Sequence, residues 1–485
     1  MKVMNISKYL LVAALLAGGS MAAVAQDGSP ADIEAAKTLV KNKPADLDKQ
    51  VKAFAKANKK NAEQLVAIGR VFYEAEDTAN ARFFAQQALT ASKRNSPGAY
   101  VLLGDIAAKS DNGGEAAQNY EQAILADAKN VEAYRKYASV YRKISPEGAV
   151  AKLEELRQNV PGYPVDALIG HISYLSLRYA TAIEAYSKVQ PITQLDRMGF
   201  IEFAMSNYHA RQYEEALRIV KSGLDKFSGN ATLNRLAMMC NNELKNYPDA
   251  LQYAETLFTK IDKDSVTLSD IDYQNYGNAL AGNERYEEAI AKFREAINLP
   301  TEDKSLHADL FKSISDSYKS MKQFPEAIEA YNQFLSANAD ADATDHAGLA
   351  MLIANYGRTL EGDERIATIK QADEAYADLI TKFPDAEEFA LWQRGRLNST
   401  IDPDMSLGLS KPHFERMIEL ITAHEELDET DNKRLEDGYR YMMSYNYQVL
   451  KDSKAALEWA KKILEVKPDD AGIQTVVETL SKTVK

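Results

Sequence analysis

One spacing recurs along this chain and limits what it can fold into. In "YGNALAGNERYEEAIAKFREAINLP", residues 276–300, Tyr276 and Leu280 stand four apart, and Ala289, Phe293 and Ala296 follow in steps of four and three. Such steps place side chains on one helix face, so the segment reads as two helices broken at Gly282-Asn283. Gly277 lets a neighbouring backbone come close. The alanine matching Ala289 reappears at Ala81, Ala116, Ala149, Ala182, Ala216, Ala250, Ala327 and Ala372, at intervals of 35, 33, 33, 34, 34, 39, 38 and 45 residues. The position matching Gly277 holds Gly69, Gly104, Ala138, Gly170, Ala204, Met238, Ser315 and Gly357, nearly always small. Four residues beyond each alanine stands Ala85, Tyr120, Leu153, Tyr186, Val220, Ala254, Tyr331 or Tyr376. The pattern predicts an all-α chain of stacked helix pairs, each buried by its neighbours.

These residues resemble the tetratricopeptide repeat (TPR) family, whose unit has a small residue in its first helix, Ala then an aromatic in its second, and often a closing Pro. The likeness covers most of residues 60–470 and implies a superhelical solenoid of antiparallel helix pairs, about 10–12 repeats. Residues 26–60 read as an N-terminal helix pair and 61–337 as the first part of the array. A loop or hinge follows at 338–346, a second part spans 347–470 with a divergent unit at 386–424, and 471–485 form a capping helix. The added residues near 260–270, 300–306 and 338–346 are expected in loops between repeats.

The N-terminus, "MKVMNISKYLLVAALLAGGSMAAVAQDGSP", sets Lys2 and Lys8 before an apolar run and ends it in Ala23-Val24-Ala25, the pattern of a signal peptide over residues 1–25. The expectation is export, to the periplasm, with no transmembrane segment after cleavage. Cys240 is the only cysteine, so no lipid-bearing cysteine follows the cleavage site, and its apolar neighbours mark it as a buried small hydrophobe. The 58 basic side chains less Lys2 and Lys8 leave 56 against 71 acidic, a net of −15. That charge argues against nucleic acid as a partner.

No motif points to chemistry. The six histidines show no metal-ligand spacing, and there is no phosphate loop or nucleophile elbow, so no enzyme, cofactor or metal is expected. Acid clusters at Asp262/Asp264 and Asp340/Asp342/Asp345 lack the glycine a calcium loop turns on. Asp77-Thr78-Ala79 and Asp264-Ser265-Val266 resemble an acceptor site for bacterial O-glycosylation.

The resemblance also implies that each first helix lines the groove. Over nine repeats the matching positions hold seven basic residues (Arg70, Arg135, Arg142, Arg235, Lys312, Lys319, Arg358) and three acidic ones (Asp105, Asp316, Glu361), an electropositive surplus in an acidic protein. Tyr208, Gln274 and Asn278 complete the expected partner-binding residues. The family's carboxylate clamp, Lys and Asn one turn apart, is not reproduced: Lys312 precedes Asp316, and Gln274 precedes Asn278. Two readings stand, internal pairing of these cations or capture of a partner protein or peptide. As a function this implies an exported scaffold for envelope assembly, protein export or nutrient uptake. The alternative is a glycan-binding component of an outer-membrane uptake system, which the scarcity of tryptophan (Trp392 and Trp459) disfavours.

Overall fold

The structure, a computed structural model, describes residues 30–260, 267–300 and 304–484. The expected signal peptide, Asp262, Asp264 and the Ser265 acceptor lie outside these residues. Among them are 25 α-helices and no strand, divided into two compact units between Thr267 and Leu268.

The first unit holds α1 (Pro30–Asn42), α2 (Leu47–Ala57), α3 (Ala62–Glu74), α4 (Thr78–Ala91), α5 (Pro97–Lys109), α6 (Gly113–Ala126), α7 (Val131–Tyr141), α8 (Pro146–Asn159), α9 (Val165–Leu175), α10 (Tyr179–Ser187), α11 (Arg197–His209), α12 (Tyr213–Lys226), α13 (Ala231–Glu243) and α14 (Tyr247–Glu255). The second holds α15 (Asp270–Gly282), α16 (Tyr286–Ile297), α17 (Lys304–Ser320), α18 (Phe324–Ala337), α19 (Ala343–Thr359), α20 (Gly362–Lys382), α21 (Glu387–Ser399), α22 (Lys411–Ile421), α23 (Glu429–Gln448), α24 (Ser453–Val466) and α25 (Ala471–Thr483). These are twelve successive pairs and a terminal helix, an all-α helix-pair solenoid in each unit. Asn, Asp or Ser side chains cap most helix starts, among them Asn61, Asp77, Ser96, Asn112 and Asn130.

Within each unit, from α3 onward, each helix packs on its pair partner and on a neighbouring pair. In the first unit the first helices also touch one another in sequence, α3 to α5 to α7 to α9 to α11 to α13, which makes them the closer-packed layer. All nine register alanines, from Ala81 to Ala372, are fully buried. Beneath them the small first-helix residue meets a large one. A Cβ on Gly104, Gly170 or Gly277 would lie 2.4, 2.7 or 2.4 Å from the ring of Tyr120, Tyr186 or Phe293, closer than atoms pack. Sizes trade along the array: Ala138 and Ala204 pair in register with Leu153 and Val220, Met238 with Ala254, and all six are fully buried.

The helix breaks are set by backbone hydrogen bonds rather than by glycine. Glu76, Asp111, Leu177, Arg211, Lys245, Glu284 and Lys322 each follow a first helix with φ between +55° and +66°. The next N–H bonds the carbonyl five residues back, as Arg178 to Ser173 and Arg285 to Leu280, the Schellman arrangement in which glycine is usual. In the opening segment the left-handed residue is therefore Glu284, one past Gly282-Asn283.

The longer repeats of the second unit do not place all their extra residues in loops. Of the stretch 338–346, only 338–342 is loop; Asp342 and Asp345 form a capping box and α19 starts at Ala343. α19 and α20 run 17 and 21 residues; α19 extends behind its capping box, and α20, without a side-chain cap, is built largely of good helix formers. The divergent unit does carry its loop, between Ser399 and Lys411, where buried Asp402 accepts the N–H groups of Leu407 and Leu409, both at 3.2 Å.

Gly277→Ala is expected to lower stability by about 1–3 kcal/mol through overpacking on Phe293, and Gly277→Ala with Phe293→Leu to recover most of it, as read by thermal unfolding. Leu177→Gly, at an exposed turn residue with φ +58°, is expected to raise stability by about 1 kcal/mol in the same measurement.

Candidate binding face

The first-helix layer of the first unit carries most of the expected site residues, and much of its charge is spent on joining repeats. Asp105 on α5 is buried and accepts the Tyr120 hydroxyl of α6 at 2.8 Å and the Lys136 ammonium of α7 at 2.6 Å from each carboxylate oxygen. Lys136 also pairs with Glu132 at 3.1 Å, and Arg70 of α3 reaches Glu132 at 3.6 Å. Burial pushes the Glu132 carboxyl up, but Lys136 and then Arg70 outweigh it and hold the group below its ordinary range. Burial beside Asp105 drives the Tyr120 hydroxyl upward, so it stays a donor.

The same device recurs further along. Glu202 on α11, 3% exposed, accepts the Tyr186 hydroxyl at 2.5 Å and faces His171 Nδ1 at 2.9 Å. Both acids join a second-helix tyrosine to a first-helix cation or imidazole 31 residues away. Tyr208 is buried and donates to Glu243 at 3.2 Å, with its ring edge-on to Tyr213.

The remaining expected residues divide by partner. Arg235 donates to the Thr267 carbonyl at 3.4 Å. Arg135 is exposed and takes no carboxylate among the described residues. Arg142, half-buried at the end of α7, bonds only the Leu175 carbonyl at 3.2 Å; its Nε is buried without a partner, and burial lowers its pKa. In the second unit Lys312 pairs with Asp345 at 3.1 Å and lies 4.7 Å over the Phe334 ring. Lys319 pairs with Asp316 at 2.7 Å, and Arg358 bonds the Asn355 amide at 2.8 Å. Gln274 and Asn278 are half-buried on α15 and make no side-chain hydrogen bond among the described residues. The pairing acids sit on first helices, two repeats along for Arg70, one along for Lys312 and on the same helix for Lys319.

Cys240 is fully buried and its thiol is pushed up to about 12 by burial, which removes its reactivity. Asp342 and Asp345 serve the α19 cap and, in Asp345, the Lys312 pair. One group of side chains that sequence spacing missed does assemble in the second unit, Glu388, His424 and Asp431; its members are 36 and 7 residues apart, a separation without a motif.

Stacked helix pairs with a closer-packed first-helix layer define a repeat scaffold. Residues 273–303, spanning α15 and α16, match the family model described as "Tetratricopeptide repeat", so the chain carries that repeat at this pair. It is similar to the C-terminal part of a TPR repeat-containing protein from Cytophaga hutchinsonii, with 20% identity over 57% of this chain and 99% of that one, at a TM-score of 0.46. A tetratricopeptide repeat protein from Parabacteroides merdae shows 18% identity over 52% and 98%, TM-score 0.36. PilF of Pseudomonas aeruginosa shows 20% over 41% and 94%, TM-score 0.34. No curated protein matches the chain. Among the described residues no helix is long and apolar enough to cross a membrane.

Asp105→Asn is expected to cost about 1–3 kcal/mol, since Lys136 loses its closest counter-charge while staying partly solvated. Denaturant unfolding of Asp105→Asn, Lys136→Met and the double variant checks this; the double variant should lose less than the two single losses added together.

Proposed function

We propose that this protein is an exported scaffold that binds partner proteins or peptides along its first-helix layer, and that Arg135 and Arg142 on α7 receive an acidic group of the partner. The observation that carries this reading is the contrast within the layer. Arg70, Lys136, Lys312 and Lys319 have carboxylates of the chain itself within 4.0 Å, whereas Arg135 and Arg142, two turns apart on one helix side, have none among the described residues. A half-buried guanidinium with only a carbonyl partner retains most of its donors for a carboxylate from outside. Arg235, Tyr208, Gln274, Asn278 and Arg358 extend the proposed contact region within their own units.

The leader-like N-terminus supports export and an envelope role, whether in assembly, protein export or nutrient uptake. Glycan binding draws less support. Sugar rings stack on open aromatic faces, yet the Arg396 guanidinium lies 4.7 Å over Trp392 and the Lys462 ammonium 4.5 Å over Trp459.

In a pull-down from envelope extract, Arg135→Glu with Arg142→Glu is expected to lose a bound protein by about tenfold or more against wild type at equal helicity. Equal recovery from both would reject the α7 site, and recovery of oligosaccharide alone would favour the glycan reading.

A further inference from the structure

The turn between α22 and α23 carries His424, whose ring nitrogens reach two different helices. Nδ1 lies 2.9 Å from a carboxylate oxygen of Asp431 on α23, and Nε2 lies 2.8 Å from one of Glu388 on α21. Both are hydrogen-bond lengths, and both partners are acceptors. A neutral imidazole owns one N–H, so in either tautomer one ring lone pair would face a carboxylate lone pair. The carboxylates are themselves held. The second oxygen of Glu388 lies 3.4 Å from the Arg434 guanidinium, and Asp431 is buried in a capping box with Asp428.

Glu388, His424 and Asp431 are also the one group among the described residues close enough to hold a metal ion. The two nitrogens point away from each other, however, and a single ion with bonds of about 2 Å could take only one of them. A proton on each nitrogen satisfies both contacts at the distances present.

We propose that doubly protonated His424 is a pH-sensitive clamp that closes the α22–α23 turn onto α21. Every residue from 422 to 430 is exposed, so no buried apolar side chain anchors this turn; Ala423 and His424 bond the end of α22 through their backbone N–H groups, and the two imidazole bonds tie the turn to α21 and α23. The groups facing the ring are Glu388 from α21 and Asp431 from α23, with Arg434 behind Glu388; the adjacent Glu425 and Glu426 are exposed on the turn itself. The Asp431 and then the Glu388 hydrogen bond raise the imidazole above its ordinary value of 6.5. A group raised in the folded state contributes stability that is fully present below its unfolded value and lost as pH rises through the folded one. The clamp is therefore closed in mildly acid solution and opens on the alkaline side.

Hydrogen exchange of residues 422–435 in the full chain, with a chelator present, tests this at about pH 6 and about pH 9, after correction for intrinsic exchange. Wild-type protection should fall by about fivefold or more between the two. His424→Gln should be open at both pH values, and His424→Arg, permanently charged, closed at both. A wild-type turn equally protected at both, or a Gln variant that keeps the pH dependence, would overturn the proposal. Imidazole nitrogen spectra decide even where a variant fails to fold: His424 titrating at or below 6.5 would overturn it, and titration above that value supports it.

Discussion

The contact on which both units depend is the crossing of the two helices of a pair, where a small first-helix residue lies under a large second-helix side chain. At Gly104, Gly170 and Gly277 the ring of Tyr120, Tyr186 or Phe293 occupies the space a Cβ would need. That closeness lets the fully buried alanines at Ala116, Ala182 and Ala289 bring the two backbones together. A short helix has little stability alone. Once the pair is joined it presents apolar faces to the next pair, and the array propagates. Gly with an aromatic gives way to Ala with an aliphatic and to Met238 with Ala254, whereas at Gly69, matched with Ala85, the space is filled by Leu102 and Phe84 instead.

Electrostatics adds a second, longer connection. Asp105 and Glu202 are each taken out of water, and a buried carboxylate is tolerated only with several donors. Here the donors come from different helices, a second-helix tyrosine and a first-helix group 31 residues away. One acid therefore ties adjacent pairs together and sets their register. The consequence for recognition is that an inventory of cations overstates the free positive charge of the first-helix layer. Among the described residues, Arg70, Lys312 and Lys319 are each paired with a carboxylate of the chain itself.

The sequence by itself determined that this chain is a stack of helix pairs, where the pairs lie, which alanines and small residues are buried and that Cys240 is inert. All of these follow from spacings of three, four and about 34 residues, and such spacings are local properties of helices. The first-helix charges were legible as a set, but their partners were not. Whether Arg70 meets Glu132, or Lys312 meets Asp345, depends on how one pair is rotated on the next, and residue spacing does not encode that angle. The long repeat interval between Ala327 and Ala372 was visible, whereas its conversion into extra turns rested on the capping box for α19 and on packing for α20. Only the tertiary structure could bring Glu388, His424 and Asp431 within hydrogen-bond reach, because three helix ends have to converge before those distances exist.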